Sequence, residues 1–119
     1  MPRPRMPAAA CQARWEKGRR LEITLPEKDA SGDSLVGLEA VKVFYLPLTA
    51  SRPNPSDVLT KGEVVLEQRR PDLPRPGRRF VMDLSGIGRS PGWIVVTAMR
   101  VGNVTGHPSE TLPWLDPAL

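Results

Sequence analysis

The side chains with chemistry to offer are few, and each stands in a context that suggests a quieter use. Cys11 is the one cysteine, so no intramolecular disulfide can form. His107 is the one histidine, and any Ser–His or Cys–His pair would need it as the base. It sits in Gly106-His107-Pro108, a turn context in which an exposed, idle imidazole is the plainer reading. Ser90, in Gly88-Arg89-Ser90-Pro91-Gly92, is only faintly like a nucleophile elbow, because that motif needs a strand-to-helix turn and no helix is predicted after it. Asp29, Ser31 and Asp33 are spaced loosely like the start of a calcium loop, yet the carboxylate that closes such a loop is not placed downstream, so they are expected to stabilise a turn. A transition metal needs clustered Cys, His or carboxylate ligands, and here the acids are scattered. The expectation is a protein that is not an enzyme and takes no cofactor and no metal.

Arginine is the one chemistry present in quantity. Arg69, Arg70, Arg75, Arg78 and Arg79 fall within eleven residues and form a basic rim able to grip phosphates or acidic sugars. The formal net charge of +4 agrees with an anionic partner, and equally with a genome whose codons favour Arg, Pro, Ala and Gly. A solvated face is the default for such a run. Platforms for stacking bases are missing, since the nearest aromatic, Phe80, alternates as a core residue. Nucleic acid is therefore disfavoured as a partner and another protein preferred. Residues 71–76 contain Pro71, Pro74 and Pro76 and suit either an extended recognition segment or a stiff crossing loop. Asn103-Val104-Thr105 matches a glycosylation sequon, a pattern frequent by chance. An exposed Trp93 or Trp114 would be the clue to a glycan-binding face.

The elements that must position these side chains are strands. Apolar residues make up 39% and charged residues 25% of 119, ordinary for a soluble globular chain with a single core. Fourteen prolines and ten glycines leave little room for a long helix. No run of about 18 apolar residues is present, so no transmembrane helix is predicted. Residues 19–25 alternate strictly, with Leu21, Ile23 and Leu25 on one face and Arg20, Glu22 and Thr24 on the other, the period of a half-buried strand. A short strand at 10–16 precedes it. Residues 38–48 repeat the pattern through Val41, Val43 and Tyr45, followed by a loop at 49–57 and, after a turn at Lys61-Gly62, a strand at 63–68. Residues 78–84 alternate through Phe80, Met82 and Leu84. Residues 93–101 are the most hydrophobic and are expected to be central and buried on both faces. A hairpin-like loop spans 102–108, and 110–115 is a closing strand that Pro113 confines to an edge. Seven strands at this spacing, parted by Gly/Pro turns, predict an all-β, seven-stranded antiparallel sandwich.

The order of elements resembles a fibronectin type III domain, within the wider immunoglobulin-like class, and in particular the divergent bacterial modules. The opening 7–25 resembles the family's proline-led first strand, glycine turn and second strand. Ala40-Val41-Lys42-Val43-Phe44-Tyr45 resembles its third strand, and Phe80-Val81-Met82-Asp83-Leu84 the strand leading to a leucine before a turn. Ile94-Val95-Val96-Thr97-Ala98, with Gly102-Asn103 and Gly106 to Ser109, resembles the sixth strand and the loop after it. Two positions depart from the pattern. Leu25 stands where the second strand usually carries a core tryptophan, and Gly92 or Trp93 stands where the sixth strand usually begins with a tyrosine. An indole cannot accept a hydrogen bond as a phenol can, so the usual corner is expected to be altered or lost.

The domain organisation expected is a basic, Pro-rich tail at 1–7, a single sandwich at 8–116 and a C-terminal tail at 117–119. The resemblance implies a noncatalytic structural or protein-interaction module of a bacterial envelope or secreted system. Periplasmic, outer-membrane-associated or secreted locations are favoured over the cytoplasm. One alternative is a small basic adaptor that binds an anionic polymer through Arg69, Arg70, Arg75, Arg78 and Arg79; another is a carbohydrate-binding accessory module. Ala8-Ala9-Ala10-Cys11 is loosely similar to the small-residue run before an acylated cysteine, but the segment before it is basic rather than greasy.

Overall fold

Alternation becomes pairing in the computed structural model, which describes residues 6–102 and 104–114. In chain order the elements are β1 (Gln12–Lys17), β2 (Arg20–Thr24), β3 (Leu38–Pro47), α1 (Pro55–Lys61), β4 (Glu63–Arg69), β5 (Arg79–Asp83), β6 (Gly92–Arg100), β7 (Val104–Thr105) and β8 (Leu112–Trp114). They form two antiparallel sheets, one of three strands in the order β1-β2-β5 and one of five in the order β4-β3-β6-β7, with β8 also on β6. The architecture is therefore all-β and sandwich-like, with eight strands among the described residues where seven were predicted. The extra strand comes from the interruption of the last edge. Val104 and Thr105 pair with Arg100 and Met99, the chain is displaced over 106–111, and Leu112–Trp114 then pair with Gly92–Ile94.

Period-two side chains from both sheets meet in one core. Leu21 and Ile23 of β2, Val41, Val43 and Tyr45 of β3, Met82 of β5, and Ile94, Val96 and Ala98 of β6 are all buried in a single cluster, joined by Leu25, Leu84 and Trp114. The opposite-parity residues Arg20, Glu22, Thr24, Lys42 and Phe44 are exposed or half-buried. Packing of this apolar set, at about 25 cal/mol for each Å² removed from water, holds the two sheets together.

β6 is buried on both faces, as its composition predicts, but the layer over its outer face was not foreseen. The stretch expected as loop and turn between β3 and β4 contains α1, which packs against both β3 and β6. Pro55 opens the helix, Asp57 lies in its first turn and Lys61 in its last, each in the position its chemistry favours, and Gly62 follows in extended backbone, its amide donating to the Val58 carbonyl. Val58 of α1 and the outward-facing Val95 of β6 are both fully buried, and neither belongs to the core between the sheets. Before the helix, Arg52 donates to the carbonyl of Thr111, while Thr111 Oγ1 donates to the carbonyl of Pro53 at 3.0 Å. The β3–β4 connection is thus a strap tied to the far edge of the five-stranded sheet.

Residues 1–5 of the expected basic tail, and all of 117–119, lie outside the described residues. Met6 and Pro7 are held by their carbonyls, which accept from Arg100 Nη1 at 2.7 Å and from the Ala30 amide at 2.8 Å.

Candidate functional site

The arginines predicted as an anion-gripping rim lie along the path from one sheet to the other. Arg69 ends β4 in the five-stranded sheet and Arg79 opens β5 in the three-stranded sheet; Arg70, Arg75 and Arg78 lie on the connection between them. All five are exposed. Arg69 is engaged by acids of its own sheet, with Glu67 at 2.9 Å and Glu39 at 3.6 Å. Arg79 lies 3.6 Å from Glu22, which also receives Arg14. Among the described residues Arg70, Arg75 and Arg78 make no ion pair. The connection is fixed by its backbone: the Arg70 amide donates to the Glu39 carbonyl, the Asp72 amide to Arg69 and the Arg78 amide to Arg75. Gly77 has a φ of +83°, a left-handed conformation that favours glycine, and the Glu27 side chain packs beside it.

Most of the remaining chemical candidates are tied into the fold. Cys11 is 3% exposed inside the core cluster. Burial pushes its thiol up to about 12, leaving almost no thiolate at neutral pH. A thioether-linked lipid on Cys11 would require that side chain to leave the core. His107 is exposed, and its amide donates to the Ala8 carbonyl at 3.0 Å. Ser90 offers its carbonyl, which accepts from the Tyr45 hydroxyl at 2.7 Å. Asp29, Ser31 and Asp33 close a turn, with Ser31 Oγ, the Ser31 amide and the Asp33 amide donating to Asp29 Oδ1 at 2.7, 2.9 and 3.1 Å. Among the described residues no cluster of three or more His, Cys, Asp or Glu is disposed to hold a metal ion. Asn103 of the sequon lies outside the described residues.

The tryptophans point inward or sideways. Trp114 is 1% exposed in the core, its ring 5.8 Å from that of Trp15 and 6.5 Å from that of Tyr45. Trp93 lies on the outer face of β6 and is half-buried. The exposed indole that would mark a glycan-binding face is absent from both positions. Gly92 lies against the ring of Tyr45, where a Cβ would stand 2.8 Å from Cε2, and against the Leu46 carbonyl. A phenol therefore does hydrogen-bond at the start of the sixth strand, but it is supplied by β3 rather than by the strand itself.

Two arginines outside the predicted rim prove structurally important. Arg100, an inward-facing residue at the end of β6, is 5% exposed and donates to the carbonyls of Val36 at 3.0 Å and Met6 at 2.7 Å, with Asp29 Oδ2 at 3.5 Å. Arg19 stacks its guanidinium 3.8 Å from the Trp114 ring centre and 5.8 Å from that of Trp15. Alternation could have flagged Arg100, since it shares the parity of Ile94, Val96 and Ala98; its partners, far away in sequence, could not be read.

An open depression of about 590 Å³ lies on the outer face of the three-stranded sheet, bordered by Gln12, Arg14, Glu22, Thr24, Arg79 and Glu110. Its mixed charges and open shape give it neither a convergent polar set nor a dry wall, the two marks of a small-molecule site. No helix among the described residues is long and apolar enough to cross a membrane. No family model matches the chain, and no curated protein matches it.

Proposed function

We propose that the protein is a noncatalytic structural or protein-interaction module of the fibronectin type III kind, working in a bacterial envelope or secreted system. The observation that carries this reading is the division of strands between the sheets. The first, second and fifth strands share one sheet, while the third, sixth and last share the other, as in immunoglobulin-like sandwiches. Cys11 is buried in the core and Asp29 is tied into a turn, and the surfaces open to recognition are strand edges and loops. Fold alone does not choose a ligand, and the preference for another protein as partner rests on the family resemblance. The location outside the cytoplasm rests on the family resemblance alone.

A second reading, an adaptor for anionic polymers, is favoured by one observation: Arg70, Arg75 and Arg78 are exposed and make no ion pair among the described residues. Titration with heparin and with duplex DNA at two salt concentrations separates the readings. Three to five phosphate contacts would weaken binding roughly 40- to 500-fold between 50 and 200 mM salt. The interaction-module reading expects no saturable binding to either polymer. Saturable binding with that salt dependence, lost in the Arg70→Ala, Arg75→Ala, Arg78→Ala triple variant, would put the adaptor in its place.

A further inference from the structure

Sheet edges that offer unpaired backbone groups are usually blunted. Three of the four edges here are. β4 carries a bulge, because Val43 pairs with Leu66 while Phe44 pairs with Val64, leaving Val65 as an extra residue. The opposite edge of that sheet is made of the short β7 and β8, separated by a displaced stretch with Pro108, and β8 contains Pro113. β1 has a register shift between Trp15 and Lys17, and its Trp15 indole reaches across to donate to the Pro113 carbonyl at 2.9 Å. β5 has none of these devices. It pairs with β2 over Arg79–Asp83 in unbroken register, without proline or glycine.

The hydrogen bonds flanking this pairing show which backbone groups remain for the free side. The Leu25 amide donates to the Arg78 carbonyl at 3.0 Å, and the Leu84 amide donates to the Arg19 carbonyl at 2.8 Å. In an antiparallel ladder the direction alternates, so residues 78, 80, 82 and 84 turn their amides and carbonyls toward β2. Arg79, Val81 and Asp83 therefore turn theirs outward. Their side chains share the outer face of the sheet, opposite the core-facing Phe80 and Met82.

This strand is complementary to itself. Laid antiparallel on a second copy about a two-fold axis at Val81, it sets Val81 against Val81, and Arg79 against Asp83 at both ends. All three outward residues then occupy hydrogen-bonded positions, which gives six ladder bonds and two opposite-charge cross-strand pairs. We propose that β5 is a homodimerisation edge, through which two copies join their three-stranded sheets into one continuous six-stranded sheet. The occupant is a second copy of this chain because the charge order Arg79…Asp83 is self-complementary only when the partner runs antiparallel with the same sequence. The inference goes beyond the module's role toward other proteins and stands on the edge geometry alone. The contact is small, so the dimer is weak, with a Kd of roughly 10–500 μM.

Sedimentation equilibrium of the 13.1 kDa chain from about 5 μM to about 1 mM tests it. The wild type should pass from monomer to dimer across that range. Val81→Pro removes an outward donor at a site where an edge strand accommodates proline, and should hold the chain monomeric throughout. Arg79→Asp alone and Asp83→Arg alone each oppose like charges at both ends and should raise Kd at least tenfold; the exchanged double variant Arg79→Asp, Asp83→Arg should return within about threefold of wild type. Far-ultraviolet spectra confirm folding, and if Val81→Pro fails to fold, the charge exchange decides. A wild type still monomeric at about 1 mM overturns the proposal, as does a Val81→Pro variant that dimerises normally or a charge exchange without rescue.

Discussion

Asp29 and Arg100 lie 71 positions apart in the chain, yet between them they close one end of the sandwich. The Asp29 carboxyl is held below its ordinary value of 3.8, chiefly by the Ser31 hydroxyl, with help from the Ser31 and Asp33 amides and the Arg100 charge; burial works against them. A carboxyl with a depressed folded value binds its proton more weakly in the native state than in the unfolded chain. Its contribution to stability is therefore complete only above about pH 5 and is lost progressively as pH falls through 3.8 toward the folded value. Asp29→Asn removes the charged acceptor and leaves Arg100 without its anion. The variant should melt below wild type at pH 7, and the gap should narrow as pH drops from 4 to 2. Melting temperatures followed across that range check this, and a gap that stays constant would mean that the charge of Asp29 contributes nothing.

At the scale of elements, alternation was the legible signal, because burying one face of a strand leaves a period of two in the sequence. Leu21, Ile23 and Leu25 point together into the core as that period requires, and so do Val41, Val43 and Tyr45. The same signal located Arg79 at the head of a strand but was silent on the sheet each strand joins, since pairing partners are fixed by contacts between distant segments. The strap was missed because α1 has only seven residues, too few for a helical period to emerge, although Asn54-Pro55 and Lys61-Gly62 mark its ends. The facing of Trp93 was undecidable from sequence because either Gly92 or Trp93 can be matched to the strand's usual first residue, and a slip of one turns every side chain to the opposite face. That glycine is where element packing is tightest. Gly92→Ala would drive a methyl into the Tyr45 ring and the Leu46 carbonyl, at a cost of about 1–3 kcal/mol. Gly86→Ala, at a turn where a Cβ meets nothing within 4 Å, should change stability by less than about 0.5 kcal/mol. Urea unfolding of the pair measures both, and equal midpoints would mean that β3 and β6 have room to separate.

Across the whole molecule, stability should grade outward from β6, the one strand paired on both sides and buried on both faces. The Leu48 amide donates to the Pro91 carbonyl, which fixes the alternation along β3 and β6, so Val95 and Thr97 direct their amides to β3. Val96 faces the other way, toward the displaced stretch between β7 and β8. There its amide meets the Ser109 hydroxyl at 2.9 Å, while the Ser109 amide donates to the Val96 carbonyl at 2.8 Å and Ser109 Oγ donates to the Glu110 carbonyl at 3.1 Å. A serine hydroxyl thus mends the ladder where the interruption of the last edge would otherwise leave a buried donor unmet. Removing it in Ser109→Ala leaves the Val96 N–H unsatisfied at a cost of about 1–3 kcal/mol. The loss is local to the last edge, so native-state hydrogen exchange at Val96 should accelerate well beyond that at Val95 and Thr97, whose bonds run to β3 and open only with the sheet. Uniform acceleration at all three amides would instead mean that the last edge and the β3–β6 pair open as one unit.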